Sequence, residues 1–137
     1  GLPDPRFFIY WDDAVYGYVA SRHLRTILVP DFVLRRCRAV KNVAVGSVRQ
    51  LNSTSDMTRY YILRNRGYIA RYLQRYGDYR RIAFGVGTAL TFAKELIRIV
   101  AVDRTSLVSG IKRMVEGWRD ARTIYRDPTW EPMPPLG

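Results

Sequence analysis

Apolar residues recur at helical spacing through most of the second half of the chain. Between Asp56 and Tyr76, aliphatic, tyrosine and arginine side chains fall on three separate stripes at about 100° per residue. From about Tyr79 to Val102 the pattern is apolar almost all round, which is typical of a helix buried on several sides or embedded in an interface. A third helix, which has a clean apolar stripe, is predicted to follow a cap at Asp103 or Thr105. The pattern predicts three consecutive helices that form an antiparallel subdomain or a surface for oligomerisation.

The N-terminal part has a different pattern. Aromatic and β-forming residues predict a strand from Phe7 to Trp11, which stops at the adjacent carboxylates of Asp12 and Asp13. A short amphipathic helix is predicted to follow, and a second strand to cover Thr26 to Val29. The acids therefore lie at a predicted strand-to-helix junction. There they either cap the helix, which stabilises it by about 0.5–2 kcal/mol, or carry chemistry.

Two further segments lack a strong period. Residues 39 to 56 predict a mobile loop, with Ser55 or Asp56 as the cap of the next helix, and the proline-rich tail predicts extended chain. The expected fold is α+β and mostly α, divided into residues 1–55, 56–126 and 127–137. Gly85 and Gly87 lie inside a helical pattern and predict close packing or a kink.

The charge of the chain restricts its partners. The 137 residues carry a formal net charge of +11, which suits nucleic acid, an anionic membrane surface or a diphosphate-bearing substrate. The arginine stripe of Arg64, Arg71 and Arg75 lies beside tyrosines and predicts a cationic surface for phosphates or lipid headgroups. A membrane-spanning helix needs about 20 apolar residues, and no uncharged run in the sequence is that long. The single cysteine, Cys37, suits a reducing cytoplasm.

Several short motifs resemble those of bacterial family 2 glycosyltransferases of the GT-A fold, especially cell-envelope rhamnosyl- and galactofuranosyltransferases. The matching pieces, in the family's order and spacing, are Phe8-Ile9-Tyr10-Trp11-Asp12-Asp13, Tyr16-Gly17, Val29-Pro30-Asp31 and Arg59-Tyr60-Tyr61-Ile62-Leu63-Arg64-Asn65-Arg66. The resemblance implies that residues 1–55 end a GT-A catalytic domain with two or three short strands and a helix. A chain of this length is too short for the nucleotide-binding half, so the resemblance also implies the C-terminal portion of a longer protein. The start at Gly1 without a leader fits a cut or processed end.

The resemblance also assigns roles to single residues. Asp13 becomes the base that deprotonates the acceptor hydroxyl, and Asp12 orients it, caps the helix or contacts the acceptor. Trp11 and Tyr16 are expected to face sugar. The implied partners are a nucleotide-sugar donor and a polyprenyl-linked or glycan acceptor, at the cytoplasmic side of the bacterial plasma membrane. The full-length enzyme is expected to use Mg²⁺ or Mn²⁺, with ligands mostly outside this chain.

Two positions depart from the family pattern. Arg36 stands where a metal-associated His is common, and a guanidinium grips phosphate but does not ligate a cation. Val19 stands where an Arg is frequent. Two alternatives stay open: a basic helical nucleic-acid-binding module, which the resemblance disfavours, and a noncatalytic membrane-surface or assembly module.

Overall fold

The computed structural model describes residues 3–25, 27, 43–45, 49–51 and 54–132. This part of the chain is mostly helical, as predicted. Its elements are a 3₁₀ turn Pro5–Phe7, α1 Asp12–Ser21, β1 Val43–Val45, β2 Arg49–Leu51, α2 Asp56–Arg75, α3 Arg81–Ala101, a 3₁₀ turn Arg104–Ser106 and α4 Leu107–Arg126. The three long helices fall within a few residues of their predicted bounds.

The strand predicted from Phe7 to Trp11 is wrong. The chain forms the 3₁₀ turn at Pro5–Phe7 and then a bent segment that leads into α1. Asp4 caps the turn, because its carboxylate accepts a hydrogen bond from the Arg6 amide. Phe7 is fully buried, so the aromatic run supplies a core side chain without forming a strand.

Two short strands occur in the region predicted to be a loop. β1 and β2 pair antiparallel, with Val43 opposite Leu51 and Val45 opposite Arg49. The predicted second strand from Thr26 to Val29, the Val29-Pro30-Asp31 motif and Arg36 lie outside the described residues, except for Ile27.

Helix α2 begins with the predicted cap, because Ser55 Oγ accepts a hydrogen bond from the Thr58 amide. The cap predicted for α4 is different. Its N-cap residue is Ser106, and Asp103 instead accepts hydrogen bonds from the Thr54 amide and from Arg59. Asp103 therefore connects the start of α2 to the end of α3.

Helices α2 and α4 lie side by side and run parallel. The backbone of Tyr60 meets Gly117, and further along both helices Gly67 meets Ala121. A Cβ at Gly67 would lie 2.5 Å from the Ala121 carbonyl oxygen, so only glycine permits this approach. Arg71 extends the contact by donating a hydrogen bond to the Tyr125 carbonyl oxygen.

Helix α3 runs antiparallel to both neighbours. The middle of α3 meets the middle of α2, where Arg66 donates hydrogen bonds to Thr88 and Thr91. Near its end Ile99 joins Leu63 of α2 and Met114 of α4 in one buried cluster. Helices α2, α3 and α4 therefore alternate in direction. Among the described residues, no helix combines the length and the apolar composition needed to cross a membrane.

Candidate functional site

The segment that leads into the acidic pair has an unusual backbone. Phe8, Tyr10 and Trp11 adopt positive φ angles of 58°, 68° and 71°. Such angles bring Cβ close to the backbone, and each costs about 1–3 kcal/mol for a bulky L-residue. Strain of this kind persists only where the surroundings impose the conformation. The residues that impose it lie on α2.

Asn65 holds this segment through its side-chain amide. Its Nδ2 atom lies 2.8 Å from the Phe7 carbonyl oxygen, 2.7 Å from that of Ile9 and 3.0 Å from that of Tyr10. The Asn65 side chain is fully buried, so these carbonyl groups are satisfied by protein donors. Arg64 adds a hydrogen bond of 2.9 Å to the Arg6 carbonyl oxygen. The Arg-Asn pair of α2 thus acts as a clamp on the N-terminal segment.

Trp11 is half-buried and attached to the same helix. Its Nε1 atom donates a hydrogen bond of 3.2 Å to the Ile62 carbonyl oxygen, and its ring packs against the aromatic cluster of Phe7, Tyr68 and Tyr72. This indole is therefore largely structural. The sugar-facing role expected for Trp11 is limited to the part of the ring that stays accessible.

The two carboxylates begin α1. Asp12 and Asp13 occupy its first turn, and Trp11 is the N-cap residue without a side-chain cap. Negative charge in a first turn complements the helix dipole. Asp13 is exposed, and its Oδ1 accepts a hydrogen bond of 2.7 Å from the Ala14 amide. Tyr16, one turn further along α1, is also exposed. Trp11, Asp12, Asp13 and Tyr16 are thus grouped at one helix start.

A polar cluster that sequence reasoning missed fixes the other end of the segment. The buried Asp4 carboxylate accepts hydrogen bonds from Arg6 and from the hydroxyl of Tyr72, the latter at 2.8 Å. Burial alone would raise the pKa of Asp4, but these hydrogen bonds hold that pKa below its usual value. Arg6 also lies over the ring of Trp130, with its Cζ atom 5.3 Å from the ring centroid. The only sequence signal was the pairing of an acid with an arginine two residues later.

Two of the three arginines in the predicted cationic stripe bind carbonyl oxygens within the fold. Arg64 is bound to the Arg6 carbonyl oxygen and stacks on Tyr68. Arg71 donates to the Tyr125 and Asp127 carbonyl oxygens. Both guanidinium groups therefore join parts of the fold, whereas Arg75 is exposed. The tyrosine stripe is not fully exposed either, because Tyr68 and Tyr72 are buried.

Few side chains that could ligate a metal ion come together in the described part of the chain. Within that part of the chain, no group of three or more His, Cys, Asp or Glu side chains is placed to hold a metal ion. The two carboxylates of Asp12 and Asp13 are the donors at the candidate site.

A large cavity lies away from the acidic pair. It has a volume of about 810 Å³ and opens between α2, α3 and α4. Its lining is mainly apolar, with Phe92, Leu96 and Trp118 among the walls and Arg81 and Arg122 among its cations. Burial lowers the pKa of Arg66, which also lines the cavity.

Comparison with known proteins finds no relative of this chain. No family model, no curated protein and no solved structure matches it.

Proposed function

We propose that this chain is the acceptor-side, C-terminal portion of an inverting glycosyltransferase. The complete enzyme would move a sugar from a nucleotide-sugar to a lipid-linked glycan acceptor of the bacterial cell envelope. One observation carries the proposal: Asn65 donates its hydrogen bonds to the segment that leads into Trp11, Asp12 and Asp13. The two motifs on which the resemblance rests most heavily therefore touch each other in the fold.

The proposed chemistry uses the exposed carboxylate of Asp13. This carboxylate takes the proton of an acceptor hydroxyl while the hydroxyl oxygen bonds to C1 of the donor sugar. The bond from C1 to the diphosphate oxygen breaks, and the nucleoside diphosphate leaves with that electron pair. Asp12 would orient the base or bind acceptor hydroxyls, and Tyr16 would contact the acceptor. Mg²⁺ or Mn²⁺ is expected in the complete enzyme, held mostly by residues outside this chain.

The clamp gives this chemistry a physical advantage. A general base must stay within hydrogen-bond reach of the proton that it removes, and small displacements cost large factors in rate. Asn65 and the Trp11 indole anchor the backbone directly before Asp12. The strain at Phe8, Tyr10 and Trp11 is of the kind that concentrates at functional sites.

The nucleic-acid-binding alternative has less support than the net charge of the chain suggested. Two of the three arginines that favoured it, Arg64 and Arg71, are bound to carbonyl oxygens within the fold. The proposal places the protein in the cytoplasm, peripheral to the inner face of the plasma membrane.

The test uses the complete reading frame that contains this chain, assayed for transfer from a panel of labelled nucleotide-sugars to an envelope lipid fraction. Replacing Asp13 by Asn should lower transfer by about 10²–10⁴-fold without changing donor affinity, because the variant lacks only the base. Asp120→Asn is the matched control, since that exposed carboxylate lies on α4. Transfer by Asp13→Asn at the rate of the control would refute the proposal. The isolated chain should transfer no sugar.

A further inference from the structure

Helix α3 presents its apolar side outward. Ile82, Val86, Leu90, Ile97 and Val100 follow one another at helical spacing and are all exposed. Leu90 is 65% exposed and Ile97 is 61% exposed. Ala89, Ala93 and Leu96 continue the same side of the helix and are also exposed. We call these eight residues the α3 outer face.

The opposite side of α3 is the more polar one, and it faces the protein. Thr88 and Thr91 accept hydrogen bonds from Arg66, and Glu95 is buried in an ion pair with Arg98. Arg98 also donates to the Thr54 hydroxyl. A helix at a protein surface normally buries its apolar side and exposes its polar side. In helix α3 most aliphatic side chains are on the exposed side, although Ile99 is buried against α2 and α4. The outer face is therefore suited to a further apolar environment.

The exposed charges of α3 and of its N-cap residue have one sign. Every residue of α3 is described, and its single acid is the buried Glu95, which Arg98 neutralises. Arg80, Arg81 and Lys94 are exposed. No exposed carboxylate of α3 balances these three cations. The outer face is therefore an apolar strip edged by positive charge.

The large cavity adjoins this strip. Ala89, Ala93 and Leu96 belong to the outer face and also line the cavity, whose far wall includes Trp118 of α4. Trp118 is 40% exposed, and the Arg122 guanidinium lies 4.6 Å from the centroid of its ring. An indole beside a cation is typical of the interface between lipid headgroups and acyl chains.

We propose that the α3 outer face docks on an anionic lipid surface, with α3 lying in the plane of the headgroups. Apolar side chains would enter the acyl boundary, and Arg80, Arg81 and Lys94 would meet lipid phosphates. A second copy of the chain fits less well, because each copy carries a net charge of +11 and would bring the same cations to the contact. This inference does not depend on sugar transfer, and its test does not measure transfer.

The test is co-sedimentation of the full chain with vesicles of phosphatidylcholine containing about 30 mol% phosphatidylglycerol. The chain should bind these vesicles and largely fail to bind pure phosphatidylcholine. Leu90→Glu and Ile97→Glu should each lower the partition coefficient by about tenfold, because a charge replaces an inserted aliphatic chain. Leu90→Gln, which adds no charge, should lower it by less but still measurably. Circular dichroism should match the wild type, since both side chains are exposed.

Phe8→Glu is the matched control, because Phe8 is 67% exposed and contacts Tyr61 on α2 outside the outer face. It makes the same change of charge and should keep the partition coefficient within about twofold of wild type. Three results would overturn the proposal. The first is that the chain does not bind anionic vesicles. The second is that Phe8→Glu and Leu90→Glu lower the partition coefficient equally. The third is that sedimentation velocity shows a dimer without lipid, which Leu90→Glu dissociates. The last result would assign the face to a second copy.

Discussion

The Nδ2 atom of Asn65 lies 2.7 Å from the carbonyl oxygen of Ile9, within the strained segment that precedes the acidic pair. A single amide of α2 thus supports a backbone conformation that the local sequence does not favour. The Asn65 side chain is fully buried, and so is its hydrogen bond to the Phe7 carbonyl oxygen, which raises the cost of losing this donor.

Asn65→Leu should therefore lower the free energy of unfolding by about 3 kcal/mol. Leucine has a similar shape but no donor, so the carbonyl groups of Phe7, Ile9 and Tyr10 lose this partner. Urea denaturation followed by circular dichroism measures the change. Gln74→Leu is the control, because it removes an exposed amide of the same helix that binds the Tyr125 hydroxyl, and it should cost less than about 1 kcal/mol. Equal costs would contradict the role of Asn65 as a clamp.

Two glycine-to-alanine changes should have opposite effects. A Cβ at Gly117 would overlap the Tyr60 carbonyl oxygen, so Gly117→Ala should push α2 and α4 apart and destabilise the fold by about 1–3 kcal/mol. A Cβ at Gly85 meets nothing within 4 Å, so Gly85→Ala should stabilise α3 by about 0.5–1 kcal/mol. Thermal unfolding of the two variants checks both signs. A destabilised Gly85→Ala would show that this position needs glycine for another reason.

The fully buried Arg59 should be among the most sensitive charged positions. It forms ion pairs with Asp56 and Asp103, and so connects the start of α2 to the end of α3. Arg59→Met should cost about 3–5 kcal/mol, because it removes the buried guanidinium that both carboxylates bind. The exposed pair of Arg113 and Glu116 supplies the control, and Arg113→Met should cost less than about 1 kcal/mol. Chemical denaturation of both variants decides the comparison, and similar costs would refute a special role for Arg59.

The Asp4 cluster should make the fold sensitive to acid. Because the pKa of Asp4 is lowered in the folded state, this carboxylate stabilises the fold above its unfolded pKa of about 4. That contribution is lost as the pH falls from there through the lower, folded pKa. Asp4→Asn should therefore flatten the stability profile below about pH 4. Unfolding measured across this pH range tests the sign, and a steeper profile for Asp4→Asn would contradict it.

The helices were predictable because their evidence is local. Periodicity located α2, α3 and α4, and Ser55 was identified as a cap from its position alone. The grouping of Trp11, Asp12, Asp13 and Tyr16 at the start of α1 was also predictable, because these residues are neighbours in the chain. Close packing or a kink was expected at Gly85 and Gly87. A Cβ at Gly85 would meet nothing within 4 Å, whereas a Cβ at Gly87 would lie 3.3 Å from the Arg66 guanidinium, so close packing occurs only at Gly87.

The remaining features depend on partners that are distant in sequence. A run of aromatic residues favours a strand, but Phe7 is buried against Tyr68 and Tyr72, and Asn65 satisfies the nearby carbonyl groups, so a bent segment forms instead. Arginines on one helical stripe indicate a cationic surface, yet Arg64 and Arg71 meet carbonyl oxygens from the two ends of the chain. The sequence by itself determined which segments form the three long helices, because helical periodicity is a local property. Only the tertiary structure decided which side of each helix faces the protein, because burial depends on the surface that packs against it.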